Sequence, residues 1–198
     1  MKEKDGILSM IKLGLILAVF ASVSCLVLAL VNNVTAPKIK QNQIEKINSA
    51  MREFFPGEGY TFEEVKDFSP ASKGTIKIES LYLAKKNGIV EGGAVQVSGP
   101  TYDTATIFAG VKKDGSIQGI KFLKLTDSPG FGLKANDSSY TLSKSKKTFY
   151  GQFEGMNASD GFTVNKTFEA ISGATITSAG IGALLEEGCN CLLKEFAK

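Results

Sequence analysis

The sequence predicts an α+β protein: one N-terminal transmembrane helix, then a domain built on an antiparallel sheet with packed helices. Three observations predict it. Leu13–Val31 is a run of nineteen residues without a charge. Alternating, β-branched segments separated by Asn-Gly and Asp-Gly turns lie between Leu81 and Leu125. Ser178–Phe196 then closes the chain with an apolar stripe at helical spacing.

As a helix, the first run is about 28 Å long, close to the hydrocarbon thickness of a bilayer. Ile11 extends it, and the Lys12 side chain can reach the headgroups. A cleaved signal peptide has an apolar core of only about 7–15 residues. Ser22-Val23-Ser24-Cys25 faintly resembles a lipoprotein processing site, but serine stands three before the cysteine, where a Leu-like residue is usual. The six residues after Cys25 are also apolar and suit a bilayer. The retained anchor is therefore preferred. The expected organisation is a short cytoplasmic tail (1–10), a transmembrane helix (11–31), a linker helix (32–58) and a folded domain (59–198). Lys2, Lys4 and Lys12 precede the span while Lys38, Lys40 and Lys46 follow it, so charge counting is close to a tie. The short tail favours an inside N-terminus and an extracytoplasmic domain.

Ala36-Pro37 is read as the end of the span. Lys38–Phe55 then reads as a polar helix, with Ile39, Ile44, Ile47, Met51 and Phe54 as its stripe and Pro56-Gly57 as its stop. Tyr60–Ile78 has a mixed pattern without a clear element. Leu81–Lys86, the Asn87-Gly88 turn and Ile89–Val97 suggest a hairpin. Thr104–Lys112 and Ile117–Leu125 suggest a second one around Asp114-Gly115. Asp127–Gly132 is a loop of breakers. Leu133–Tyr150 reads as helical at least in part, and Phe162–Phe168 as a short strand. In the last helix the stripe is Ile181, Leu184, Leu185, Cys189, Leu192 and Leu193.

Composition excludes several classes of chemistry. The 198 residues contain no histidine, which removes Ser-His-Asp and Cys-His catalysis and the commonest transition-metal ligand. Cys189 and Cys191 stand two apart in a helix, where their side chains diverge, so they suggest neither a disulfide nor a metal site. With Cys25 they read as small packed side chains. Net charge is +3 from 23 basic and 20 acidic residues, spread along the chain. Without a clustered basic patch, nucleic acid is not expected as a partner.

The informative stretch is Glu169-Ala170-Ile171-Ser172-Gly173-Ala174-Thr175-Ile176-Thr177-Ser178. It follows a strand-like segment and opens the last helix. Gly173 and Ala174 permit close approach to the backbone, and a helix start favours an anion such as phosphate. Thr175 and Thr177 offer hydroxyls to that phosphate. Taken alone, the same residues also fit a helix whose Ser and Thr cap its N-terminus.

Ser-Gly-Ala-Thr-Ile-Thr-Ser closely resembles the flavinylation motif of the FMN-binding domain family. That family includes the G subunit of Rnf complexes and the C subunit of sodium-translocating NADH:quinone oxidoreductases. The resemblance implies that a flavin transferase uses FAD to attach FMN to Thr175 through a phosphoester, with Thr177 as the fallback acceptor. Ser172, Gly173 and Ala174 would complete the motif. Glu169 stands where the family usually has aspartate. Thr126-Asp127-Ser128-Pro129-Gly130-Phe131-Gly132 resembles the family's Glu-Thr-Pro-Gly-Leu-Gly loop, which lies against the flavin. Ser128 replaces its threonine and Phe131 its leucine. The small Pro129, Gly130 and Gly132 permit backbone approach to a planar ring. Asn87–Pro100 departs from the family's Gly-Tyr-Gly-Gly pattern.

The layout looks most like the Rnf G subunit. It implies an electron relay with no catalytic site of its own, in a complex coupling ferredoxin:NAD electron transfer to ion translocation. Its partners would be the other membrane subunits, the transferase and the lipid bilayer, with the flavin on the outer face of the cytoplasmic membrane. Two alternatives are a stand-alone extracytoplasmic flavoprotein and an anchored binding domain without cofactor.

Overall fold

In a computed structural model, residues 2–68 and 74–198 are described, with side chains from Met10 onward. The charges expected on the N-terminal tail at Lys2 and Lys4 lie outside the described side chains. The chain divides into two compact units at Glu45/Lys46. The first helix, α1 (Lys2–Phe54), crosses this division and contains Pro37. The two helical segments read from the sequence are therefore continuous, although proline cannot supply the N–H for the usual helical bond. Every described side chain from Met10 to Lys46 is exposed, including Leu13, Leu15, Phe20, Leu26 and Leu30. Among the described residues, one helix is long and apolar enough to cross a membrane.

The second unit is built on five antiparallel strands in chain order: β1 (Tyr60–Glu64), β2 (Lys77–Lys86), β3 (Ile89–Pro100), β4 (Thr104–Lys112) and β5 (Ile117–Leu125). The two hairpins anticipated from Asn87-Gly88 and Asp114-Gly115 are both present. Asn87 and Gly88 adopt φ of 52° and 80°, the left-handed pair that a tight hairpin demands. Strand β1 was not apparent in the sequence, and β2 starts four residues before Leu81, with a register shift between Ile78 and Ser80.

Helix α2 (Thr175–Phe196) covers one face of the sheet. Ile181, Leu184, Leu185, Cys189 and Leu192 of the expected stripe join Leu81, Val95, Val97 and Ile107 in the main core. Leu193 is only partly buried at its edge. Cys189 and Cys191 are both buried there, and burial pushes the Cys189 thiol up to about 12. The last turns of α1 cover the opposite face: Ile47, Ala50, Met51 and Phe54 pack with Phe55, Ala84, Ala94 and Phe108.

One expected element is narrower than the sequence suggests, and one is corrected. Leu133–Tyr150 is helical only in a 3-10 turn, Gly132–Asn136. Asp137 takes the Ser139 N–H and hydroxyl, and Glu169 takes the Lys144 and Ser145 N–H groups. Such side-chain acceptors compete with helical bonding. Phe162–Phe168 is not a strand. It is a turn with Asn165 at φ 57°, closed by a single bridge between Val164 and Phe168.

Candidate functional site

The motif folds into a turn that delivers the chain to α2. Gly173 takes φ 79°, a conformation that glycine adopts without strain. Ala174 is the cap residue, and no side chain caps the helix. The Ser and Thr hydroxyls therefore do not act as the helix cap. They separate into two pairs instead. Ser178 and Thr177 turn inward and are 0% and 1% exposed. Ser178 Oγ accepts from the Ile171 N–H at 3.0 Å and donates to the Ala174 carbonyl at 2.9 Å, which closes the turn. Thr177 donates to the Asp127 carboxylate at 2.5 Å. Ser172 and Thr175 face outward and are exposed. The first N–H groups of α2 have no partner within the helix, so its start carries partial positive charge beside Thr175.

The breaker loop lies against this turn. Asp127 is 2% exposed and accepts from the Thr101 hydroxyl at 2.6 Å and the Asp103 N–H at 3.0 Å, as well as from Thr177. Burial by itself would raise its carboxyl. The bonds from Thr101, Thr177, Asp103 and Tyr102 outweigh that and hold it below the ordinary aspartate value. Gly130 takes φ 77° in open space. Gly132 serves a different need, because a Cβ there would lie 2.5 Å from Asp127 Cβ and 2.6 Å from Thr177 Oγ1. The Phe131 ring lies over Gly173, 3.5 Å from where a Cβ would stand.

Between loop and turn is a cavity of about 550 Å³, a size suited to a cofactor. Of the ten residues singled out from the sequence, Ser128, Pro129, Phe131, Gly132, Gly173, Ala174, Thr175 and Thr177 line it. Ser172 and Gly130 do not. Tyr102 and Ile176 line it too and were missed. Beyond the first unit, the large exposed hydrophobic side chains among the described residues are Ile89, Tyr102, Phe131 and Ile176. Three of these four surround this one cavity, and a concentrated apolar exposure of that kind marks a binding surface.

Support behind the motif comes from two residues. Glu169 accepts from Ser145 N at 2.9 Å, Lys144 N at 3.0 Å and Ser143 Oγ at 3.2 Å. The Ser145 N–H is the main reason that its carboxyl is held below the usual range. Gln152, buried and also missed in the sequence, holds the Glu169 backbone at both ends: its Oε1 accepts from Glu169 N at 2.8 Å, and its Nε2 donates to Glu169 O at 3.1 Å.

Residues 1–53 match the RnfG N-terminal region, and residues 101–190 match the FMN-binding domain. The chain is 34% identical over 188 residues to the G subunit of the Na(+)-translocating ferredoxin:NAD(+) oxidoreductase complex of Acetobacterium woodii, covering 86% of this chain and 85% of that one. This chain belongs to the RnfG family. It is also similar to the G subunit of the ion-translocating oxidoreductase complex of Cereibacter sphaeroides, at 26% identity over 88% of this chain and 80% of that one. The corresponding Pseudomonas aeruginosa protein is 28% identical, over 87% and 84% of the two chains.

The FMN-binding match runs from Thr101 into α2 and so takes in the whole cavity. The cavity fits FMN on its own chemistry. Tyr102, Pro129, Phe131 and Ile176 give it apolar walls for a planar ring. An exposed hydroxyl and the uncapped start of α2 suit the phosphate. As a member of the RnfG family with an apolar N-terminal helix, the protein is membrane-anchored.

Proposed function

We propose that this protein is an electron-transfer flavoprotein of an Rnf-type complex that couples ferredoxin:NAD electron transfer to ion translocation, with FMN joined to Thr175 by a phosphoester. One observation carries the choice of residue. Thr175 and Thr177 both line the cavity, but the Thr175 hydroxyl is on an exposed residue at the start of α2, while Thr177 is buried and donates to Asp127. The apolar walls would hold the ring, and the N–H groups of the first turn of α2 would face the phosphate. FMN, when bound, supplies the electron chemistry, and the protein supplies position and tuning. The covalent link keeps the cofactor from loss outside the cytoplasm.

The proposed layout keeps residues 1–10 in the cytoplasm, spans the cytoplasmic membrane with 11–31, and places the flavin domain (59–198) outside by way of the linker (32–58). Anchoring raises the effective concentration of the flavin at neighbouring membrane subunits. The bilayer and a flavin transferase are its other partners. The reading is tested with Thr175→Val in cells that also express a flavin transferase. The variant should give a dark band on a denaturing gel under ultraviolet light, against a fluorescent wild-type band. A fluorescent Thr175→Val band would remove Thr175 as the acceptor.

A further inference from the structure

Asp127 joins three separate pieces of chain at one buried point. Its Oδ1 accepts from Thr101 Oγ1 and Asp103 N, and its Oδ2 from Tyr102 N at 3.4 Å and Thr177 Oγ1 at 2.5 Å. The first three donors belong to the connection between β3 and β4, and the fourth to the first turn of α2. A buried carboxylate is costly without donors, and these four satisfy it. Gly132 closes over the same pair of side chains, with room for no Cβ.

The consequence lies in the rotation of the helix. Residues two apart on an α-helix are rotated by about 200° about its axis, so they point to nearly opposite sides. A Thr177 held inward by Asp127 therefore sets Thr175 outward, on the solvent-accessible side of the cavity. We infer that Asp127 is a positioning residue for flavin attachment: by holding the Thr177 hydroxyl it fixes the first turn of α2 and presents Thr175 Oγ to the incoming phosphoryl group. This rests on the reading of Thr175 as acceptor. In the attachment step, Thr175 Oγ forms a bond to the FMN phosphorus of FAD and the pyrophosphate P–O bond breaks. AMP leaves, and the hydroxyl proton passes to a base of the transferase. No electrons change hands. Asp127 lies behind Thr177 and acts through it, touching no reacting atom. Such a step is sensitive to placement, since a misplacement of about 1 Å costs on the order of a hundredfold in rate.

The test uses the full-length protein in detergent with purified flavin transferase and FAD. Attachment is followed by in-gel fluorescence, and the site is mapped by mass spectrometry. Thr177→Val, Thr177→Ser, Asp127→Asn and the Thr177→Val/Asp127→Asn double variant are compared at saturating transferase. Each is held well below its own unfolding temperature, so that loss of folded protein does not enter. Thr177→Val and Asp127→Asn should each lower the limiting rate by about tenfold or more. The double variant should be no slower than the slower single variant, because both remove one bond. Thr177→Ser keeps the donor and should recover most of the rate. A merely structural role would lower the melting temperatures and leave the limiting rates of folded protein equal. Equal rates would overturn the inference while leaving Thr175 as the acceptor. A wild-type Thr175 peptide without FMN, with the transferase active on a control protein, would overturn the underlying reading and the inference with it.

Discussion

Replacing Gly132 with alanine puts one methyl group into the most crowded point behind the cavity. Its Cβ would stand 2.5 Å from Asp127 Cβ, 2.6 Å from Asp127 Oδ2 and 2.6 Å from Thr177 Oγ1. None of these neighbours is the free end of a flexible chain, because Asp127 and Thr177 are buried and bonded to each other. Relief requires either a shift of the loop or separation of that pair. Overpacking of this kind costs about 1–3 kcal/mol, and a lost hydrogen bond to a charged group about 1.5–3 kcal/mol. Where both occur, the total is about 2.5–6 kcal/mol. In a domain of roughly 150 residues, at about 2–4 °C per kcal/mol, this lowers the melting temperature by about 5–24 °C. Gly130→Ala is the control. That site has φ 77° but open space around a Cβ, so it pays only backbone strain of about 1–2 kcal/mol. The assay is thermal unfolding of the full-length protein in detergent, followed by circular dichroism. A Gly132→Ala protein that melts with or above Gly130→Ala would refute the steric argument and the tight Asp127–Thr177 packing behind it.

Two further outcomes follow from the supports of the site. Gln152→Leu keeps the bulk but strands the Glu169 N–H, the Glu169 carbonyl and the Phe149 carbonyl. It should cost about 3 kcal/mol in denaturant unfolding, and a loss below about 1 kcal/mol would contradict the clamp. Asp127 and Glu169 both have lowered carboxyl values in the folded state. Their stabilisation is therefore complete above the ordinary carboxylate range, near about pH 4, and is lost as pH falls through the lower folded values. Unfolding measured across pH 2–6 should show a steeper acid loss for wild type than for Asp127→Asn, and parallel curves would exclude Asp127 as a contributor.

The legible parts of this fold were those with local signals. Asn87-Gly88 and Asp114-Gly115 marked two hairpins because each turn needs left-handed backbone. The stripe from Ile181 to Leu192 marked α2 because it repeats at the helical period. Strand β1 carries two glutamates in its five residues and sits at the sheet edge, so it lacks an apolar alternation to read. Leu133–Tyr150 had helical composition, but distant Glu169 took the Lys144 and Ser145 N–H groups, and nearby Asp137 took that of Ser139.

At the site, the sequence suggested which residues gather but not which hydroxyl faces out. A signal for that did exist. Thr177 and Ser178 stand four and three residues before Ile181, so they continue the buried stripe once the helix is extended back to Thr175. The meeting of Asp127 with Thr177, fifty residues apart, had no local trace. Tyr102 was also out of reach, because its place in the cavity depends on the β3–β4 connection being folded over the loop.

The most direct test of the central claim is mass spectrometry of the wild-type protein after co-expression with a flavin transferase. Denatured protein should be heavier by one attached FMN, and fragmentation should place it on Thr175. Unmodified protein, from cells whose transferase labels a control substrate, would contradict the account, as would FMN attached at any other residue.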